Sequence, residues 1–283
     1  MKAIISHDID HITVWEHWSD GIIPKYLART NIEYVTGKIS LNEYVSRHGD
    51  FFTNKWQNIR ELVAFNKQQN VPNSFFIAVA NGLGLSYSLA NSTFWIQELQ
   101  RLGCEVGLHG IAYESIEKIQ QEKKLFQSLS GQSTFGIRMH YVRKTNQTLE
   151  LLSEAGYSYD STEHDFKNPY KKKNMWEFPF QFMDGWLIEK SRRWQTESLN
   201  QAKENTKALL DKVYENKLSY IGIDFHDRYF SKTHQTWLDW YMWIIDYLKQ
   251  NGIQCVNFKS AIEELERNAE TNKASDSNTV FSS

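Results

Sequence analysis

Five apolar runs in this 283-residue chain each end in a histidine or an aspartate, and no other feature limits its fold as strongly. They are AIISHDID, with Asp8 and Asp10; EVGLH, with His109; FGIRMH, with Arg138 and His140; YSYDS, with Asp160; and YIGIDFH, with Asp224 and His226. Short apolar runs of this kind read as buried strands. In a parallel α/β architecture, loops from separate strands converge at the carboxyl ends, so chemistry collects there. Acid, base and metal-ligand residue types at five such ends describe one site assembled from the whole chain. They imply an enzyme, and a metal-dependent one.

Strand-like runs fall near 2–6, 74–79, 104–109, 135–140, 157–160, 175–180, 219–226 and 253–258. Helical periodicity fills most gaps, at 54–70, 88–102, 115–130, 145–155, 196–216, 233–251 and 260–268. Ser115 and Thr145 suit helix N-caps, and Gly103, Gly156 and Gly252 fall just past helix ends. Strands interleaved with helices predict a distorted (β/α) barrel of seven or eight parallel strands, one domain over residues 1–267. Residues 12–53 break the rhythm as an aromatic-rich insertion (Trp15, Trp18, Tyr26, Tyr34, Tyr44), expected to form a helical cap beside the site. The polar stretch 268–283 reads as a disordered tail.

With 41% hydrophobic residues, the chain can bury a large core. A formal charge of −2 gives no reason to expect a nucleic-acid partner. Cys104 and Cys255 lie inside apolar runs and read as small packed hydrophobes, which suits a reducing compartment. MKAIISHDID runs straight into an acid-bearing strand without the apolar region of a signal peptide, and no stretch reaches about 20 apolar residues. The expectation is a cytoplasmic protein with no membrane span; oligomeric state is left open. Ten tryptophans suit a sugar-binding site but also a large core.

Side chains alternate along a strand, so residues two apart share a face. Asp8 therefore pairs with Asp10, Arg138 with His140 and Asp224 with His226, while His7 and His11 point away from the two acids. Two carboxylates on one face repel unless a cation lies between or near them. One divalent ion, zinc above other transition metals, ligated by carboxylate and imidazole, relieves that repulsion. Plainer readings exist for single residues. Asp160 can cap the turn through Ser161 and Thr162, His226 with Asp227 and Arg228 can form an ion-pair corner, and Lys171 to Lys173 can be a solvated loop.

The order HDID, EVGLHG, GIRMHY, YDST and DFH resembles the polysaccharide deacetylase family, the NodB-homology fold, over roughly residues 3–260. The runs GLGLSYS, GIRMHYVR, GYSYDST and MWEFP resemble a divergent branch among bacterial surface-polysaccharide (lipopolysaccharide) biosynthesis proteins. The resemblance implies that Asp8 is the catalytic base, Asp10 and His109 metal ligands, Arg138 the residue orienting the base, and His226 the general acid. Asp160 matches the acidic residue of the fourth motif. The family's second metal histidine is replaced by Tyr113, and His140 is the candidate substitute, with Glu114 behind it. Tyr113, Tyr141, Trp176 and Asp224 complete the set as candidate substrate contacts, Asp224 also as a partner fixing an imidazole tautomer. The implied activity is hydrolysis of an N-acyl group, above all N-acetyl, on an amino sugar or glycan. The competing reading, favoured by Tyr113, is a catalytically silent protein of the same fold that binds a saccharide or a protein. A barrel amidohydrolase fits less well, since it calls for H-x-H at the first strand end where this chain has D-x-D.

Overall fold

A computed structural model of the chain describes residues 1–190 and 192–279. In chain order it contains β1 (Lys2–Ile9), α1 (Ile22–Val35), α2 (Leu41–Thr53), α3 (Ile59–Gln68), β2 (Ser74–Ile77), α4 (Leu89–Arg101), β3 (Glu105–Gly110), α5 (Ile116–Ser130), β4 (Ile137–Met139), α6 (Thr148–Ala155) and β5 (Tyr159–Asp160). β6 (Tyr170–Lys172), β7 (Met175–Glu177), β8 (Phe182–Met183), α7 (Asp184–Ile188), α8 (Leu199–Glu215), β9 (Tyr220–Asp224), α9 (Gln235–Gln250), β10 (Gln254–Val256) and α10 (Phe258–Thr279) follow.

The strands form one curled sheet in the order β6-β7-β5-β4-β3-β2-β1-β9-β8, the distorted (β/α) barrel expected. Every pairing is parallel except β6 with β7. β1 is central and pairs with β9 along one edge. Its other edge is shared, β10 taking Lys2–Ile4 and β2 taking Ser6–Ile9. That sharing explains why β1 is buried from Ala3 onward and reads as an unbroken apolar run.

Inside the curl, Ile4, Phe76, Tyr159, Phe178 and Tyr220 pack against Phe258 and Ala261 of α10, which plugs the end opposite the site. The larger core lies between the sheet and its surrounding helices, where Trp237, Trp240, Tyr241 and Ile244 of α9 are fully buried. The insertion packs a small core against Trp56, just beyond it: Val14 and Tyr26, with Ile22, Ile23 and Phe51 beside them. It spans the carboxyl ends of the strands. Glu16 binds the backbone N–H of Ser88 at 2.6 Å, Arg47 donates to the Thr233 carbonyl at 2.7 Å, and Lys38 donates to that of Thr196 at 2.6 Å.

Three local features depart from the sequence-based pattern. The expected strand 175–180 stops at Glu177 because Pro179 lacks the N–H a ladder needs, and pairing resumes at Phe182 as β8. β6 is a polar edge strand without alternation, so periodicity gave no sign of it. The expected disorder from 268 is replaced, as far as Thr279, by continuation of α10; no Gly or Pro stands between Phe258 and Thr279 to stop it. Residues 280–283 lie outside the described residues. No helix is long and apolar enough to cross a membrane among the described residues.

Candidate metal centre

Parallel registration brings the strand ends together. His109 on β3 is in register with Arg138 on β4, and Ser6 on β1 with Asp224 on β9. Asp10 follows β1, and its Oδ1 lies 3.3 Å from His109 Nε2 and 3.4 Å from His140 Nδ1. The two imidazole nitrogens are 3.0 Å apart. These three ligand atoms lie within 4.8 Å of one another, and both histidines are buried.

Proton positions follow from the partners. His109 Nδ1 faces the Arg138 carbonyl at 3.1 Å, and His140 Nε2 faces the Leu83 carbonyl at 3.2 Å. Carbonyls only accept, so each imidazole places its N–H there and turns a lone pair toward the other ring. Two lone pairs aimed at each other across 3.0 Å, beside a buried Asp10 Oδ1 with no hydrogen-bond partner, repel unless a cation joins them. The donor set of two imidazoles and one carboxylate suits zinc or a related divalent ion.

Arg138 organises the neighbouring acids. Buried at 1% exposure, it donates from Nη1 to Asp8 at 3.0 Å and to Asp224 at 2.8 Å. Nη2 donates to the Ser6 and Ser161 hydroxyls at 2.8 and 2.9 Å, and Nε to the Ser161 carbonyl at 2.8 Å. Burial pushes the Asp8 carboxyl up, but the Arg138 guanidinium beside it pulls it below its ordinary value. Asp224 goes the other way, pushed up to about 7 by burial and by the Asp8 charge against the pull of Arg138.

His226 stands across from this pair, Nε2 at 3.6 Å from Asp10 Oδ2. Its Nδ1–H donates to Asp184 Oδ1 at 2.9 Å, and Asp184 Oδ2 accepts from the His226 backbone N–H at 2.8 Å. Burial would lower this imidazole, yet Asp184, Asp224 and Asp10 raise it well above 6.5. Sequence reasoning missed Asp184, although QFMDG repeats the same signal of an apolar run ending in an acid.

The remaining candidates lie elsewhere. Asp160 accepts from Thr162 Oγ1 at 2.6 Å and pairs with Glu177, whose carboxyl burial and Asp160 push well upward; neither contacts the three-ligand cluster. Trp176 sits on β7 toward α10 at the plugged end, its indole N–H 3.3 Å from Glu266, so a substrate contact there is not supported. Tyr113 lies under the Arg143 guanidinium at 4.8 Å and, with Glu114, lines a cleft of about 500 Å³ beside the β3–α5 connection. Tyr141 is 63% exposed and packs on the His140 ring at 4.0 Å. Its φ is 57° and that of Val142 is 56°, a left-handed pair costly for a β-branched residue, as strain kept at functional sites often is. His7 points outward to the Phe225 carbonyl and Asn66, and His11 bonds His17, so neither joins the cluster.

The chain matches no protein-family model and no curated protein. Solved structures do share its fold. A Mycobacterium smegmatis protein assigned to the polysaccharide deacetylases superposes with a TM-score of 0.63 at 16% identity, covering 95% of this chain and 91% of its own. A Pseudomonas aeruginosa PAO1 protein assigned likewise gives 0.60 at 15% identity, covering 94% and 90%. The Puue allantoinase gives 0.60 at 14%, covering 92% and 87%. The fold is thus that of polysaccharide deacetylases, and an allantoinase shares it.

Proposed function

We propose that this chain is a metal-dependent hydrolase that removes an N-acyl group, above all N-acetyl, from an amino sugar or sugar conjugate in surface-polysaccharide biosynthesis. The observation that carries the reading is the convergence of Asp10, His109 and His140, with the lone pairs of both imidazoles turned to one point. A divalent ion bound there supplies the positive charge that polarises an acyl carbonyl and eases deprotonation of water. Asp8, held ionised and aimed by Arg138, accepts the proton of the attacking water. His226, charged at neutral pH through Asp184, gives a proton to the departing amine. Tyr141 at the rim touches bound substrate. A fold shared with an allantoinase does not select a sugar; that choice rests on the motif resemblance.

Metal analysis of the purified protein, combined with amine release from N-acetylated amino sugars, tests the reading. The expected result is about one divalent ion per chain, lost in Asp10→Ala and His109→Ala with the fold intact, and activity lost alongside. Failure to bind any ion under saturating zinc would establish instead the silent binding protein that Tyr113 favours.

A further inference from the structure

A second polar cavity of about 120 Å³ lies between the insertion and the β9–α9 connection. Arg228, Trp56, His234, Ser231 and Asp50 contribute to its wall. Arg228 is held in place from several sides. Its carbonyl accepts from Asn58 Nδ2 at 3.0 Å, and its guanidinium stacks on the rings of Trp56 and Tyr26 at 4.1 and 4.5 Å. Among the described residues, however, its guanidinium donates to no acceptor and forms no ion pair, and its Nε is buried. Trp56, 2% exposed, has a buried indole N–H with no partner, and His234, 1% exposed, has a buried Nε2 in the same condition.

Unpaired buried donors are costly, and two of them, the Arg228 Nε–H and the Trp56 indole N–H, belong to residues that wall one cavity. What the wall lacks is an acceptor, and the uncommitted charge is positive. The other charged groups do not supply the need. Lys55 is bound to Glu61 at 2.6 Å. Asp50 accepts from the Tyr26 hydroxyl at 2.9 Å, and burial pushes its carboxyl up, which weakens its hold on Arg228. A guanidinium fork with an indole N–H and a serine hydroxyl nearby suits the oxygens of a phosphate.

We propose that this cavity is a phosphate-binding site, separate from the metal centre, with its Arg228 guanidinium held between Trp56, just beyond the insertion, and Tyr26 of the insertion's first helix. The Trp56 ring meets Arg228 on the cavity side and packs on its other side against His11, the residue after Asp10, at 5.5 Å, without entering the metal cluster. The phosphate is either free in solution or a group carried on the molecule that reaches the metal. The inference does not depend on the hydrolase reading.

Titration calorimetry of the full chain with inorganic phosphate tests it, with metal first removed by chelator so that phosphate cannot bind a cation. The expected result is saturable binding at millimolar concentration or below, weakened at least about tenfold in Arg228→Gln, as loss of a charge-assisted bond implies. Trp56→Phe keeps the ring, removes the N–H and weakens binding several-fold; it decides the matter alone if Arg228→Gln does not fold. No saturable binding by the wild type, or unchanged affinity in folded variants, overturns the site. Displacement of phosphate by a phosphorylated N-acetyl amino sugar at lower concentration assigns the group to the substrate. Absence of displacement assigns it to a free anion, and either result sustains the site.

Discussion

His226 carries its Nδ1 proton against Asp184 at 2.9 Å, in a pocket where burial by itself would strip the charge from the ring. The imidazole is therefore a stronger holder of its proton than an exposed histidine, and the carboxylate beside it is the main cause. Asp184→Asn keeps an acceptor for Nδ1 but removes the charge. It should move the alkaline limb of the kcat/KM–pH profile to lower pH by at least about one unit. The rate should fall roughly 10- to 100-fold, as for other carboxylates that orient a histidine. A profile with its alkaline limb unmoved would remove Asp184 from the mechanism. The same residue marks the limit of reading single positions: Asp8, Asp10, His109, Arg138 and His226 all announce themselves at strand ends, whereas Asp184 follows a two-residue strand too short to stand out.

At the scale of elements, three glycines let the strands curl around aromatic rings. A Cβ on Gly107 would come within 2.8 Å of the Phe76 ring, on Gly222 within 2.7 Å of Phe180, and on Gly136 within 2.1 Å of the Tyr159 ring. All three rings, Phe76, Phe180 and Tyr159, are buried. Gly136→Ala should therefore cost about 1–3 kcal/mol or more, since Tyr159 sits where it cannot move aside. Chemical denaturation measures the loss, and Gly136→Ala combined with Tyr159→Leu should recover part of it. A fully stable Gly136→Ala protein would mean that the interior is looser than described. Alternation along one strand identifies the strand, but which ring faces which glycine depends on registration between strands far apart in sequence. That is why the elements were legible and their interior packing was not, and why β6 and β8, held by their partners rather than by their own pattern, were missed.

Across the whole molecule, the chain packs histidines into its core as neutral groups, and this sets how acid affects it. The alternation that turns Asp8 and Asp10 toward the site turns His7 outward, between the sheet and α3 and α9, where Asn66 Nδ2 donates to its Nε2 at 3.0 Å and Tyr241 packs against its ring at 5.8 Å. Face assignment was legible in ISHDIDH; the depth of burial was not, because it depends on helices arriving later in the chain. Burial lowers the His7 imidazole to about 3 from 6.5, and it lowers His11 and His234 well below 6.5 as well. Between pH 6.5 and 3 the unfolded chain binds a proton at position 7 that the folded chain refuses, so the stability owed to His7 is complete above 6.5 and declines as pH falls. The decline approaches about 1.4 kcal/mol per pH unit. His7→Asn should therefore be destabilised relative to wild type at pH 7, and that difference should shrink by about 2 kcal/mol at pH 5. Urea unfolding of both proteins at the two pH values measures it. A difference that stays constant or widens with acid would show that the imidazole is charged, or solvated, in the folded state, and would contradict its placement between sheet and helices.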